Sequence, residues 1–330
     1  MATEKLDEDL QCFHFSEASN ARRIPRRVEL RRAEHPWIRP SKLDVELSQT
    51  ERETQELFRK FVSILNKLTP QKFETLANQA LQLAIDTEEH MKGCTDRIFI
   101  AVCSGPHFSV VYAQLCRVLS KITVEVGTGP ESTKKSFRSL LLNKCQQEFE
   151  KDKESDETFT ELRKKVEEAA TLEEKKQLEE ELEEKDYHVR HNHLAIVRFI
   201  GELFKVKMLS EEIMHECIRR LLQNTRDEEA LECFVKLMFT VGKDLDHAKG
   251  HGLIQQYMSR VDFIIKAGMI SSRIRFLLLD VLELRNSNWV PWREGNNPKK
   301  IDQLHEEAEM LRQFAIHTGP RIGGQQKSRK

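Results

Sequence analysis

Ile64-Leu65-Asn66-Lys67-Leu68-Thr69-Pro70 is the stretch on which the fold turns. It completes a stripe of Leu57, Phe61, Ile64, Leu65 and Leu68 at three- and four-residue spacings, one apolar face along a helix. Thr69-Pro70 then ends that helix and opens the next, because proline cannot continue a helix but suits its first turn. Working outward, similar patterns predict helices over about 71–85, 88–104, 109–122, 134–151, 194–208, 211–224, 227–241, 253–267, 272–285 and 299–315. Their joints are short and punctuated by Gly, Pro, Ser or Asp. No strong period-2 strand with a hairpin turn stands out, so the chain reads as all-α. A pair of antiparallel helices cannot bury its own apolar face, and stacking pairs into an α-solenoid solves that.

Three zones depart from this pattern. Residues 1–50 lack sustained periodicity and carry Pro25, Pro36 and Pro40, which predicts an extended basic arm. Residues 148–186 hold 17 acidic and 8 basic side chains and few large apolar ones beyond Phe149, Phe159, Leu162, Leu172, Leu178 and Leu182. That composition cannot supply a core, and reads as a solvated helix or partly disordered insertion between two halves of the solenoid. Residues 287–330 are expected to form a C-terminal helix and a basic tail.

Charge balance names no partner, because 53 Lys and Arg nearly cancel 54 Asp and Glu. Charge placement does. Arg22, Arg23, Arg26, Arg27, Arg31, Arg32, Arg39 and Lys42 face only Glu29 and Glu34, a local excess of six positive charges. Seven cysteines with no CxxC pair read as free thiols in a reducing compartment. No apolar run approaches the roughly 20 residues that span a bilayer, and the acidic start lacks signal-peptide character. A cytoplasmic protein without membrane contact is expected.

Catalytic chemistry finds little support. His188, His191 and His193 fall on different helical faces with no Cys nearby, so no metal site is expected. Gly127-Thr128-Gly129-Pro130 lacks the Lys-Ser/Thr register of a phosphate loop, and no strand is expected before it; it reads as a turn. No nucleophile elbow, HExxH helix or Cys-His arrangement is apparent. The expectation is a non-enzyme with no catalytic residue, cofactor or metal.

Two constellations remain. The arm combines its arginines with Trp37, which suits a grip on phosphates and unstacked bases or, equally, a solvated tail. A tryptophan in a polar arm also suggests an anchor on a protein partner. Leu65, Leu68 and Phe73 form the second, and at helical spacing such residues are more often core than interface.

Five stretches recur here in a definite order: Gln55-Glu56-Leu57-Phe58-Arg59-Lys60, the opening Ile64 to Pro70, Phe199-Ile200-Gly201-Glu202-Leu203-Phe204, Val241-Gly242-Lys243-Asp244-Leu245-Asp246, and Ser271-Ser272-Arg273-Ile274-Arg275-Phe276 running on to Asn288-Trp289-Val290-Pro291. Over roughly residues 51 to 310 the chain resembles the middle domain of eukaryotic translation initiation factor 4 gamma. The resemblance implies HEAT-like helical pairs over 51–286, with a charged insertion at about 148–190. It also implies a scaffold that binds the DEAD-box helicase initiation factor 4A, contacts RNA and initiation factor 3, and stimulates unwinding by clamping the helicase lobes.

By the same resemblance, Ala33-Glu34 followed by Trp37 and Pro40 assigns Trp37 to the helicase. Leu65, Leu68 and Phe73 match positions needed for helicase binding, by contact or by holding the first repeat together. RNA would meet the arm and Arg273, Arg275, Lys299 and Lys300. Arg190-His191-Asn192 stands where the family has three arginines, Ala195-Ile196 replaces its Gly-Asn, and Gly105 replaces an acid. None of Tyr112, Tyr187 and Tyr257 fits the family's Tyr-x-x-x-x-Leu segment for the cap-binding protein. The chain is thus expected to be a fragment or a short relative. Its activity is expected to support mRNA unwinding and ribosome recruitment; alternatives are a repressor that sequesters the helicase, or a protein-docking solenoid independent of RNA.

Overall fold

A computed structural model describes residues 48–126, 133–151, 157–169 and 171–290, together with 305 and 309. The chain divides into two units, Met1–Leu47 and Ser48–Lys330, and all described residues lie in the second. Eleven helices are seen among them: α1 (Gln49–Lys67), α2 (Phe73–Leu81), α3 (Glu88–Ser104), α4 (Ser109–Leu119), α5 (Phe137–Glu150), α6 (Glu157–Glu168), α7 (Leu172–Lys205), α8 (Glu211–Leu221), α9 (Glu228–Leu245), α10 (His251–Ala267) and α11 (Ser272–Asn286). The expected arm, the Gly127–Pro130 turn and the helix over 299–315 fall outside the description or almost wholly so.

Local signals set most helix starts. Ser48 caps α1 in a reciprocal box with Glu51, and Thr87, Ser136, Thr171, Ser210, Asp227 and Ser271 accept backbone N–H bonds at their own helices. α7 ends where Lys207 turns left-handed at φ 63°. Two arginines on earlier elements satisfy carbonyls there, Arg117 donating to Val206 and Arg138 to Met208.

Helices α1, α3, α7, α9 and α11 lie side by side as one layer. α2, α4, α8 and α10 pack back against it as partners, and α5 sits against α3 and α7. This is the all-helical, HEAT-like solenoid expected. Its interior is continuous, from Phe61 and Ile98 through Phe199 and Phe234 to Val261 and Leu278. An edge-to-face contact of Phe99 on Phe199, 5.6 Å between centroids, ties α3 to α7.

Three expectations need correction. A two-stranded antiparallel sheet, β1 (Thr123–Val126) with β2 (Thr133–Ser136), pairs Val124 with Lys135 and Val126 with Thr133. A strand therefore does precede Gly127, but the chain returns into β2 rather than into a helix, so the phosphate-loop arrangement is still not formed. Four residues of alternation are too few to stand out against helical periods. In consequence α5 begins at Phe137, not Lys134.

The acidic zone is also more ordered than its composition suggests. α6 packs on the first half of α7, burying Phe159 and Leu162 in a satellite cluster, with the Lys185 ammonium 4.5 Å from the Phe159 ring centre. The expected helix from Leu194 is the second half of the same 34-residue α7.

None of the six described cysteines forms a disulfide. Burial pushes Cys94 up to about 12 and Cys103 and Cys217 up to about 11, and also raises Cys116 and Cys145. A Cys12→Ser variant should therefore react with a disulfide reagent at pH 8 on the order of a hundredfold slower than the same chain in urea. Equal rates in both would show that these thiols are not held as described.

Candidate functional site

Two glycines decide how closely the last three helices of the layer approach. A Cβ on Gly201 of α7 would lie 2.7 Å from Thr240 Cγ2 and 3.1 Å from Val241 Cγ1, so only glycine lets α9 settle there unstrained. A Cβ on Gly242 of α9 would fall inside the Trp289 ring, 2.1 Å from Cζ3. Trp289 reaches that place because Asn288 and Trp289, just past α11, take φ of 53° and 61°. The Trp289 N–H bonds back to the Leu284 carbonyl at 2.8 Å, a left-handed helix stop.

Asp246, at the end of α9, gathers this corner. Its Oδ2 accepts from Trp289 Nε1 at 2.9 Å and from Arg285 Nε at 3.2 Å, and its Oδ1 pairs with His251 Nδ1 at 2.8 Å. Burial alone would raise its pKa. The bonds from Trp289, His251 and Arg285, with the Arg285 charge, outweigh burial and hold the carboxyl below its usual range. The two sequence stretches Val241–Asp246 and Asn288–Trp289 are thus halves of one structural lock.

Arg190 meets Glu229 and Gly201 meets Thr240 between α7 and α9, and Glu232 meets Arg273 and Asp246 meets Arg285 between α9 and α11, so the three helices run side by side in the same direction. On α9 the stripe runs Glu232, Lys236, Phe239 and Lys243. On α11 it runs Arg273, Phe276 and Leu279. Arg273 Nη2 bonds Glu232 Oε2 at 2.8 Å, and Glu228 caps Ser271, which registers the two helices. Phe276 is 65% exposed, Phe239 46% and Leu279 38%. Exposed apolar side chains on neighbouring helices are candidates for a docking site.

The residues expected from sequence distribute unevenly over this structure. Leu65 and Leu68 are buried, and Phe73 is half-buried against the same core at the start of α2. Their effect on any partner would act through the integrity of the first helical pair. Arg273 has its charge met by Glu232, while Arg275 is exposed. Trp37, the arm arginines, Lys299 and Lys300 lie outside the described residues. Arg190, the remaining arginine of its triplet position, is engaged by Asp186 and by Glu229 at 3.7 Å.

Phe239 and Lys236 were not singled out by sequence reasoning, because a single helix shows them only as part of a mixed polar face. Elsewhere, an open cleft of about 840 Å³ between α3, α5 and α7 is lined by Ile100, Tyr187, His191 and Lys144. Lys144 is neutralised there by Asp96 at 2.9 Å and Glu148 at 3.0 Å. Among the described residues, no group of three His, Cys, Asp or Glu side chains could hold a metal ion. None of the described helices alone is long and apolar enough to cross a membrane.

Stacked helical pairs of this kind define a scaffold of HEAT-like type. Residues 58–288 match the MIF4G domain, and the chain belongs to that family, a family of scaffolds rather than enzymes. It is 51% identical over 289 residues to mouse eukaryotic translation initiation factor 4 gamma 1, a match covering 86% of this chain and 18% of that protein. Human eukaryotic translation initiation factor 4 gamma 3 is 47% identical over 87% of this chain and 18% of its own. The Arabidopsis thaliana factor 4G is 38% identical over 79% of this chain and 15% of its own. The chain thus spans under a fifth of the length of these relatives. The crystal structure of the MIF4G domain of Trypanosoma cruzi translation initiation factor EIF4G5 aligns with a TM-score of 0.41 at 20% identity, covering 71% of this chain and 97% of its own.

Proposed function

We propose that this protein is a translation-initiation scaffold that acts in the cytoplasm. It binds the DEAD-box helicase initiation factor 4A and mRNA, contacts initiation factor 3, and thereby supports unwinding and ribosome recruitment. Membership of the MIF4G family supports the general role. The observation that carries the docking reading is the exposure of Phe239 on α9 and of Phe276 and Leu279 on the neighbouring α11. Exposed aromatic side chains on a rigid helical support are the usual anchors of protein interfaces. Trp37 is the second anchor, from the arm. RNA is taken by Arg22, Arg23, Arg26, Arg27, Arg31 and Arg32, with Arg275 from the solenoid; Arg273 contributes less because Glu232 already holds it.

The test is binding of purified initiation factor 4A by the unaltered chain, by Trp37→Ala and by Phe276→Ala, with ATPase activity read in the same samples. The unaltered chain should bind and raise ATPase activity. Each variant should bind about tenfold more weakly, and Phe276→Ala should unfold at an unchanged temperature because its ring is exposed. Absence of binding by the unaltered chain would overturn the proposal.

A further inference from the structure

The open cleft of about 840 Å³ between α3, α5 and α7 holds features that packing does not require. Two large side chains that line it, Ile100 of α3 and Tyr187 of α7, are 64% and 63% exposed, while Phe99 and Ile196 beneath them are buried. The Tyr187 ring lies within 23° of parallel to His191, one turn further along α7, with 6.3 Å between centroids. The α7 wall therefore presents a pair of rings. From α5, Lys144 donates to Asp96 Oδ1 at 2.9 Å and to Glu148 Oε1 at 3.0 Å. Two carboxylates thus share one ammonium, and among the described residues that line the cleft Lys144 is the only lysine or arginine. The charge continues along α7. Back from His188 and His191, at three- and four-residue spacings, the same side of the helix carries Glu184, Glu181, Glu180, Glu174 and Glu173, all exposed. Glu184 Oε1 lies 3.8 Å from His188 Nε2, and Glu180 is met by Lys176 at 3.9 Å. Because α7 is one helix of 34 residues, this acidic ridge is held in line with the cleft.

We propose that the cleft is a docking site for a basic segment of a protein partner. Apolar side chains of that segment enter between Ile100 and Tyr187, and its arginines meet the carboxylates of the cleft and of the α7 ridge. The volume suits several side chains rather than one. A guanidinium can bond a carboxylate while lying over the Tyr187 ring, whose negative face attracts it. Covering Ile100 and Tyr187 takes apolar surface out of water, which supplies affinity. The ridge sets the sign of the partner and speeds its approach. The same charges turn RNA away, because a phosphate backbone laid along α7 would face the row of glutamates. This site is separate from the α9 and α11 side chains assigned to the helicase, and stands or falls without them.

Fluorescence anisotropy on the full chain tests it with three labelled molecules: a peptide alternating leucine and arginine, the same peptide with glutamate for arginine, and an oligouridylate. The unaltered chain should bind the arginine peptide and not its glutamate counterpart. Tyr187→Ala and Ile100→Ala should each bind the arginine peptide about tenfold more weakly, and both should unfold at an unchanged temperature because the side chains removed are exposed. Glu184→Lys should weaken the peptide as well, by a margin that shrinks as salt is raised. Oligouridylate affinity should be the same in Tyr187→Ala as in the unaltered chain. Arginine-peptide affinity left intact by both Tyr187→Ala and Ile100→Ala would overturn the site, reducing it to diffuse attraction by an acidic surface. Loss of oligouridylate affinity in Tyr187→Ala would overturn it in favour of a base-stacking site.

Discussion

Asp246→Ala is expected to cost about 3 kcal/mol of unfolding free energy, measured by urea denaturation. The carboxylate and Arg285 are only 9% and 13% exposed, so removing one leaves the other charged and poorly hydrated. The Trp289 indole N–H loses its acceptor at the same time. A contrasting pair sets the scale: Glu56 and Lys60 on α1 meet at 2.9 Å but are 60% and 61% exposed. Glu56→Ala should therefore cost far less than Asp246→Ala, because water already screens that pair. Equal costs at the two sites would refute the lock at Asp246.

The same residue gives a pH dependence of definite sign. Its folded pKa is lowered, so its stabilisation is complete above the unfolded value of about 3.9, where the carboxylate is ionised in both states. That contribution is lost as pH falls below about 4 through the folded value. The stability gap between the unaltered chain and Asp246→Ala should accordingly be constant near neutrality and shrink in acid. A gap that widened below pH 4 would contradict the arrangement.

Gly201→Val is the second large effect. In an open helix, replacing glycine by a residue with a side chain is neutral or favourable, because glycine loses more backbone entropy on folding. Gly252, with nothing within 4 Å of a built Cβ, is such a position, and Gly252→Ala should stabilise by up to about 0.5 kcal/mol. At Gly201 the first added carbon already meets Thr240 and Val241, and valine adds two more methyl groups. The cost should be about 3 kcal/mol, since overpacked cores shift backbone rather than compress. A stabilised Gly201→Val would show that the two helices do not approach as described.

Much of this fold was legible residue by residue. The span of α3, Glu88 to Ser104, follows from Thr87 as cap and Gly105-Pro106 as stop. The stripe of Leu57, Phe61, Ile64, Leu65 and Leu68 is the buried face of α1 and its exit. Other parts were not legible, for reasons that differ. β1 and β2 are short, and each is stabilised by its partner rather than by its own composition. The acidic zone looked coreless because Phe159 and Leu162 are few; their burial needs α7 opposite them, which no local window contains.

The candidate face shows the same division. The chain alone determines which residues share one side of each helix, since the 3.6-residue period is a local property of the backbone. It also determines where the helices begin, through Ser, Thr and Asp caps, and it belongs recognisably to one family by Phe199–Phe204, Val241–Asp246 and Asn288–Trp289. Which stripe comes to lie beside which is set by packing at Gly201 and Gly242, contacts between residues some forty positions apart. Only the tertiary structure therefore decides that Gly201 meets Thr240, that Glu232 serves Arg273, and that Asp246 receives the Trp289 indole N–H. Helical period acts within a turn or two, whereas the register between helices depends on side-chain volume across the whole layer.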